Sequence, residues 1–138
     1  MTEKIIEHIL QNPSGTKTET IIINGQNYEI IYNWKRRIQI KIKPAQDLFQ
    51  DMEVCEIRRN HLMSIIARYP NYNLLGKRTE LTEKLLSNKY TPVLLNFPVS
   101  KLICENNQLS YAATIRKKHL MKLEIIIRYF DALLATLK

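Results

Sequence analysis

Hydrophobic residues in the first part of the chain follow two different periods, which predict a helix and then strands. Isoleucine and leucine recur at helical spacing over residues 2–10, so this segment is predicted to form a short amphipathic helix. Residues 18–23 and 26–32 are instead rich in β-branched side chains. They flank Asn24-Gly25, the dipeptide that favours a type I′ hairpin turn. The sequence therefore predicts a helix followed by a β-hairpin.

A third strand is predicted directly after this hairpin. In residues 38–42 isoleucine alternates with polar and basic residues until Pro44 interrupts the pattern. Alternation with a period of two places the isoleucines on one face and the basic side chains on the other. Residues 1–44 are thus expected to form a helix and a three-stranded antiparallel meander with one apolar and one basic face.

The pattern changes to helical spacing after the meander. Asp47 and Gln50 have the form of a helix cap with a reciprocal partner, and apolar residues continue as a stripe over residues 48–69. Pro70 suits the first position of a new helix, whose apolar side is supplied by the leucines of residues 74–86. Two consecutive helices are therefore predicted between Asp47 and residue 86.

The remaining residues are predicted to be mostly helical. Two prolines interrupt residues 91–104, which favours a loop and an edge strand, and the polar run 105–108 is typical of a turn. Residues 111–138 have helical periodicity. The triplet 125–127 is Ile-Ile-Ile, which fits either a continuing helix or a buried strand between two shorter helices. Residues 45–138 are accordingly expected to be helical overall.

Length and composition favour one folded domain over residues 1–138. A chain of 138 residues with 45% hydrophobic and 25% charged residues can bury one core and has no sign of disorder. The predicted fold class is α+β, with a small antiparallel sheet, the three-strand meander, and packed helices. The longest apolar runs are too short to cross a bilayer, so no membrane association is expected.

The charge balance favours a polyanionic partner. Lysine and arginine number 21 against 13 acidic residues, a net charge of +8. Two basic clusters are candidates for nucleic-acid contact: Lys35, Arg36, Arg37, Lys41 and Lys43 on the meander, and Arg116, Lys117, Lys118 and Lys122 later in the chain. Both could equally be solvated surface. Tyr32 and Trp34 beside the first cluster could stack on bases or cover the core.

No catalytic or metal-binding pattern is present, so the chain is expected to be neither an enzyme nor a cofactor-binding protein. His8, His61 and His119 are scattered and lack a second ligand at metal-binding spacing. Cys55 and Cys104 lie far apart without a CxxC spacing, so reduced thiols and a cytoplasmic location are expected. No small-molecule substrate or cofactor is predicted.

Two segments resemble a known family. Residues 69–86 contain a tyrosine followed by a leucine-glycine-x-arginine element, matched by Leu75, Gly76 and Arg78. This element resembles the first helix of the omega-type small subunit of multisubunit DNA-dependent RNA polymerases, a family that includes bacterial omega and the archaeal K subunit. Residues 112–130 resemble the second signature of the family, an alanine-led helix followed by an isoleucine-rich strand.

The resemblance implies a non-catalytic accessory subunit that docks on the largest polymerase subunit and assists its assembly. The chain would be a divergent member of that family, as expected for a polymerase of a virus or a cytoplasmic linear plasmid with an AT-rich genome. The partner-binding residues implied are Tyr69, Leu75, Gly76, Arg78, Leu123, Ile126, Arg128 and Tyr129. Gly76 and Arg78 are expected to matter more for partner assembly than for the fold. No cofactor is implied, and nucleic acid would lie nearby or be weakly bound.

Two other functions remain open from the residues alone. The first is an independent small nucleic-acid-binding protein that acts through the basic hairpin. The second is an adaptor similar to secretion chaperones, because the predicted order of a helix, three strands and further helices is typical of such proteins.

Overall fold

A computed structural model describes residues 2–47, 49–60 and 71–137, and within them the strands form one antiparallel sheet. The strands are β1 (Gly15–Ile23), β2 (Gln26–Trp34), β3 (Arg37–Pro44), β4 (Cys55–Arg59), β5 (Tyr72–Gly76), β6 (Lys101–Glu105) and β7 (Gln108–Arg116). The helices are α1 (Glu3–Gln11), α2 (Glu80–Leu86), α3 (Thr91–Leu94) and α4 (Leu123–Leu137), with a 3-10 helix at Lys117–Lys122. The order of strands across the sheet is β1-β2-β3-β7-β6-β4-β5.

The predicted α+β class holds, but the small three-stranded sheet is wrong because the sheet has seven strands. The strand β7 pairs with residues 37–42 of β3, with Ile38 opposite Ile115 and Ile42 opposite Tyr111. This pairing satisfies the backbone N–H and C=O groups that an isolated meander would leave at the side of β3. Residues 45–138 therefore contribute four strands, and their description as helical is also wrong.

The meander itself and its turns are confirmed. The β1–β2 hairpin turns at Asn24 and Gly25, whose φ angles of 51° and 78° are the positive values that a type I′ turn requires. The turn predicted at residues 105–108 is also present, and Asn106 and Asn107 have φ angles of 53° and 59° between β6 and β7. Local turn chemistry was thus a sufficient signal at both places.

Within the described residues, the two helices predicted between Asp47 and residue 86 are partly replaced by strands. The described part of the first segment contains β4, and Tyr69 and Pro70 lie outside the described residues. The second segment begins with β5 and becomes helical only at α2. That helix starts at a capping box, in which the Thr79 and Thr82 side chains each accept a hydrogen bond from the other residue's backbone N–H.

The segment 91–104 also differs from its prediction. It begins with the short helix α3, where Pro92 occupies the first turn and so leaves no amide unpaired. Its strand, β6, lies inside the sheet between β7 and β4 and is not an edge strand.

One face of the sheet carries the core. Alternate side chains of the strands are buried on this face, and α4 packs against them with Phe130 between Tyr28 and Tyr111, at ring-centroid distances of 6.1 Å each. The isoleucine triplet belongs to α4, in which Ile126 and Ile127 are both completely buried while Ile125 is 48% exposed. The helical alternative for this triplet is therefore the correct one.

The opposite face of the sheet is polar and holds ion pairs between neighbouring strands. Three lysine–glutamate pairs lie on it: Lys41–Glu105 at 3.4 Å, Lys43–Glu29 at 3.7 Å and Lys101–Glu56 at 3.2 Å. These pairs neutralise much of the lysine charge on this face. Among the described residues, no helix has the length and apolar character needed to span a membrane.

Candidate functional site

The pairing of β3 with β7 brings the two basic clusters of the sequence together at one end of the sheet. In this register Arg37 lies directly opposite Arg116. The basic end, as it is called below, consists of Lys35, Arg36, Arg37, Arg116, Lys117, Lys118, His119 and Lys122. Like charges directly opposite each other destabilise a sheet, so stability alone does not favour this arrangement.

The lysines and arginines of the basic end are exposed and have no carboxylate within ion-pair distance in the described part of the chain. This distinguishes them from two other candidates of the first cluster. Lys41 and Lys43 lie further along β3 and pair with Glu105 and Glu29. The candidate nucleic-acid contacts thus divide into three residues at the basic end, Lys35 to Arg37, and two lysines that are already neutralised.

His119 reports the electrostatic environment of the basic end. Partial desolvation and the positive charges of Lys122, Lys118 and Arg116 lower the pKa of the His119 imidazole. From the sequence, His119 was weighed as a metal ligand and rejected, and its place in the basic end was not predicted. The signal was its position directly after Lys117-Lys118.

Two shallow grooves border the basic end. One, of about 440 Å³, is lined by Lys35, Arg36 and Arg37 and extends to Val99 and Thr114. The other, of about 240 Å³, lies on the other side of Thr114 and includes Arg116, His119 and Lys122. The grooves give the basic end a concave surface on which an anionic ligand can contact several cations at once.

The two aromatic residues predicted as possible base-stacking groups belong to the core. Tyr32 is completely buried and Trp34 is 3% exposed, and their rings stack on each other with centroids 5.5 Å apart. The Trp34 indole Nε1 donates a hydrogen bond to the Asn12 carbonyl oxygen at 3.0 Å. Neither ring can stack on a base in this fold, so the alternative interpretation, covering of the core, is correct.

Two residues of the first omega-like motif, Leu75 and Gly76, lie on β5 at one edge of the sheet, and Arg78 follows this strand. Tyr69 lies outside the described residues, whereas Leu75 is 60% exposed and Arg78 forms an ion pair with Glu83 at 2.6 Å. Leu75, Gly76 and Arg78 line a groove of about 660 Å³ together with Tyr72. The predicted helix is absent here, because residues 72–76 pair with β4 as a strand.

The residues of the second motif lie on α4 and face in different directions. Leu123 and Ile126 are completely buried in the core, so they cannot contact a partner while the chain keeps this fold. Arg128 is exposed and lies 3.9 Å from Glu124, and the Tyr129 ring packs on Tyr90 with centroids 5.9 Å apart. The strand that the resemblance implied over this segment is a helix.

Among the described residues, neither metal-binding side chains nor a comparison with known proteins indicates a further site. No cluster of three or more histidine, cysteine or acidic side chains suited to a metal occurs among residues 2–47, 49–60 and 71–137. Comparison with models of protein families, with curated proteins and with solved structures finds no match to this chain. Function therefore has to be inferred from the geometry of the chain itself.

Proposed function

We propose that this protein is a non-catalytic domain that binds the phosphate backbone of nucleic acid through the basic end. The observation that supports this function is the β3–β7 register, which sets Arg37 opposite Arg116 and joins two clusters that are far apart in the sequence. Seven lysine and arginine side chains form a concentrated positive surface and have no acidic partner among the described residues: Lys35, Arg36, Arg37, Arg116, Lys117, Lys118 and Lys122. A nucleic acid carries a condensed layer of counterions along its phosphates, and such a surface releases them on binding.

The chemistry of the basic end favours contacts with phosphates over contacts with bases. Phe97 beside the basic end and His119 within it are both half-buried, and Tyr32 and Trp34 are in the core. Among the described residues of the basic end and its grooves, no aromatic ring is fully exposed, which disfavours stacking of splayed single-stranded bases. Double-stranded nucleic acid has the highest density of phosphates, so we propose a duplex ligand bound without sequence preference.

Removing the central arginine pair tests this function. The double variant Arg37→Ala/Arg116→Ala should bind a fluorescent 20-base-pair duplex more weakly than the wild type, as measured by anisotropy at several salt concentrations. Each lost phosphate contact reduces the slope of log K against log salt by about 1, so a reduction of about 2 is expected.

A matched control removes two lysines that are already neutralised. The double variant Lys43→Ala/Lys84→Ala loses the same formal charge, but these lysines pair with Glu29 and Glu80 at 3.7 Å and 3.5 Å. Its salt slope should stay close to that of the wild type. Equal slopes for the two double variants would contradict binding at the basic end, and strong sequence selectivity would contradict a phosphate-only mode.

The protonation of His119 gives an independent test. Desolvation and the charges of Lys122, Lys118 and Arg116 lower the pKa of His119 in the free protein. A bound polyanion should raise this pKa, because it compensates those charges. Binding then takes up a proton, and affinity should increase as the pH falls through the range between the free and bound pKa values. NMR titration of the His119 ring with and without duplex measures both values, and a pKa unchanged by duplex would place the ligand elsewhere.

The role as an accessory subunit of a DNA-dependent RNA polymerase stays a prediction. Its exposed candidate residues in the described part of the chain are Leu75, Gly76, Arg78 and Arg128. Its test is purification of the protein at native expression, followed by identification of the chains that accompany it. A large polymerase subunit should be recovered, and less of it should accompany Arg78→Ala. Recovery of nucleic acid without that subunit would favour the independent nucleic-acid-binding function.

A further inference from the structure

The two cysteines of the chain lie directly opposite each other in the sheet, although they are distant in the sequence. Cys55 on β4 and Cys104 on β6 are register partners in an antiparallel pair. Opposed residues in such a pair have Cα atoms about 4.5–5.5 Å apart, within the range of about 4.4–6.8 Å that a disulfide requires. Both thiols are free and lie on the core face, with exposures of 3% for Cys55 and 0% for Cys104.

The surroundings of the two thiols make them chemically different. Cys55 borders a groove of about 420 Å³ between residues 49–53 and α2, whereas Cys104 is enclosed by the core. A hydrogen bond between the thiols lowers the pKa of Cys55, and the same bond together with burial raises the pKa of Cys104. Since the thiolate is the nucleophile, Cys55 is the thiol prepared to react and Cys104 the one prepared to resolve the product.

We propose that Cys55 and Cys104 form an oxidation site, at which hydrogen peroxide converts the two thiols into a cross-strand disulfide. The Cys55 thiolate attacks the peroxide oxygen, the O–O bond breaks, and the sulfenic acid forms as water leaves after protonation. The Cys104 sulfur then attacks the Cys55 sulfur, and the hydroxyl group leaves with the Cys104 proton as a second water. Two thiols and one hydrogen peroxide thus give one disulfide and two waters.

The groove favours a small oxidant without negative charge. Asp51, Glu53 and Glu80 line it against one cation, Lys84, which already pairs with Glu80 at 3.5 Å. An anionic oxidant such as oxidised glutathione is repelled by this surplus of carboxylates, whereas hydrogen peroxide is neutral and small enough to reach a thiol that is 3% exposed.

The disulfide would strengthen the weakest junction of the sheet. The pairing between β4 and β6 covers only Cys55 to Ile57 on the β4 side, the shortest pairing in the described sheet, and it connects the β4–β5 hairpin to the other strands. A covalent bond at this junction would hold the hairpin in place and restrict the unfolded chain. The basic end lies on other strands, so this inference does not depend on the proposed function.

Mass spectrometry of the full-length protein tests the proposal. The wild type is treated with hydrogen peroxide, unfolded and alkylated with N-ethylmaleimide. Loss of both alkylation sites and a protease-derived peptide that joins Cys55 to Cys104 are expected. Hydrogen exchange should slow at the amides of β4 and β5 after oxidation, and remain unchanged in β1 and β2.

Two alanine variants assign the order of the steps once circular dichroism has shown that they fold. Cys104→Ala should accumulate a sulfenic acid at Cys55 that dimedone traps, and Cys55→Ala should leave Cys104 unmodified after the same treatment. If the wild type stays fully alkylated, or gives overoxidised thiols or dimers without the linked peptide, the proposal is overturned. Faster dimedone labelling of Cys104 in Cys55→Ala than of Cys55 in Cys104→Ala would overturn the assigned order.

Discussion

The variant Ile126→Ala should lose about 2–5 kcal/mol of unfolding free energy, whereas Ile125→Ala should change it by no more than about 0.5 kcal/mol. The two changes remove identical atoms from neighbouring positions of α4. Ile126 is completely buried against the core face of the sheet, and Ile125 is 48% exposed. Truncation at Ile126 leaves a cavity, while truncation at Ile125 removes a half-solvated side chain and improves the local helix propensity.

Measuring Ile127→Ala as a third single variant distinguishes a helix from a strand at this segment. In α4 both Ile126 and Ile127 are buried, so their variants should be similarly destabilised. In a strand, positions 125 and 127 would share one face and would respond alike. Urea unfolding followed by circular dichroism measures all three. Equal losses for Ile125→Ala and Ile127→Ala would contradict the helix.

The sequence predicted the first three strands because their signals are local. The dipeptide Asn24-Gly25 sets the hairpin turn, and the alternation up to Pro44 sets the faces of β3. The strand β7 also alternates, with Leu109, Tyr111, Ala113 and Ile115 buried on the core face. The alanines of β7 and the lysines that follow it resemble the start of a helix. Residues 111–116 were therefore assigned to the helical segment predicted over residues 111–138. What decides in favour of a strand is its pairing with β3, which no local pattern contains.

The candidate site was predicted in its parts but not in its arrangement. Both basic clusters are visible in the sequence, yet their convergence depends on the partnership of Arg37 with Arg116. The same limit applies to Lys41, whose partner Glu105 belongs to a distant strand. Such pairings are set by the whole sheet, so sequence spacing could not separate the neutralised lysines from the cations without partners.

The segment 72–76 was misread for a different reason. Leu74, Leu75 and the leucines of α2 together give apolar residues at helical spacing, which favoured one continuous helix. Gly76 ends the strand with a φ angle of 110°, which no α-helix accommodates. From the sequence, Gly76 was expected to matter more for partner assembly than for the fold. In the structure it lies close to the backbone of the chain itself, at Val54 and Cys55.

Gly76→Ala should therefore destabilise the fold by about 2–4 kcal/mol, and the loss has two causes. The backbone conformation at Gly76, with φ at 110°, is strained for any residue with a side chain. In addition, a Cβ atom there would lie 2.5 Å from the Val54 carbonyl oxygen and 3.1 Å from the Cys55 Cα atom. Because both neighbours are backbone atoms of the adjacent segment, β4 must shift, which weakens its pairing with β5.

Gly25→Ala is the matched control for this prediction. Gly25 also has a positive φ angle, 78°, but an added Cβ atom would meet nothing within 4 Å. This variant should lose only the cost of the left-handed backbone, about 1 kcal/mol. Urea unfolding of the two variants measures the extra loss at Gly76. That extra loss contains the clash and the additional strain of a φ angle of 110°, which lies further from the left-handed region than the 78° of Gly25. Equal losses would show that Val54 can move aside without cost, and a stable Gly76→Ala protein would restore a role for this glycine in contacts with a partner.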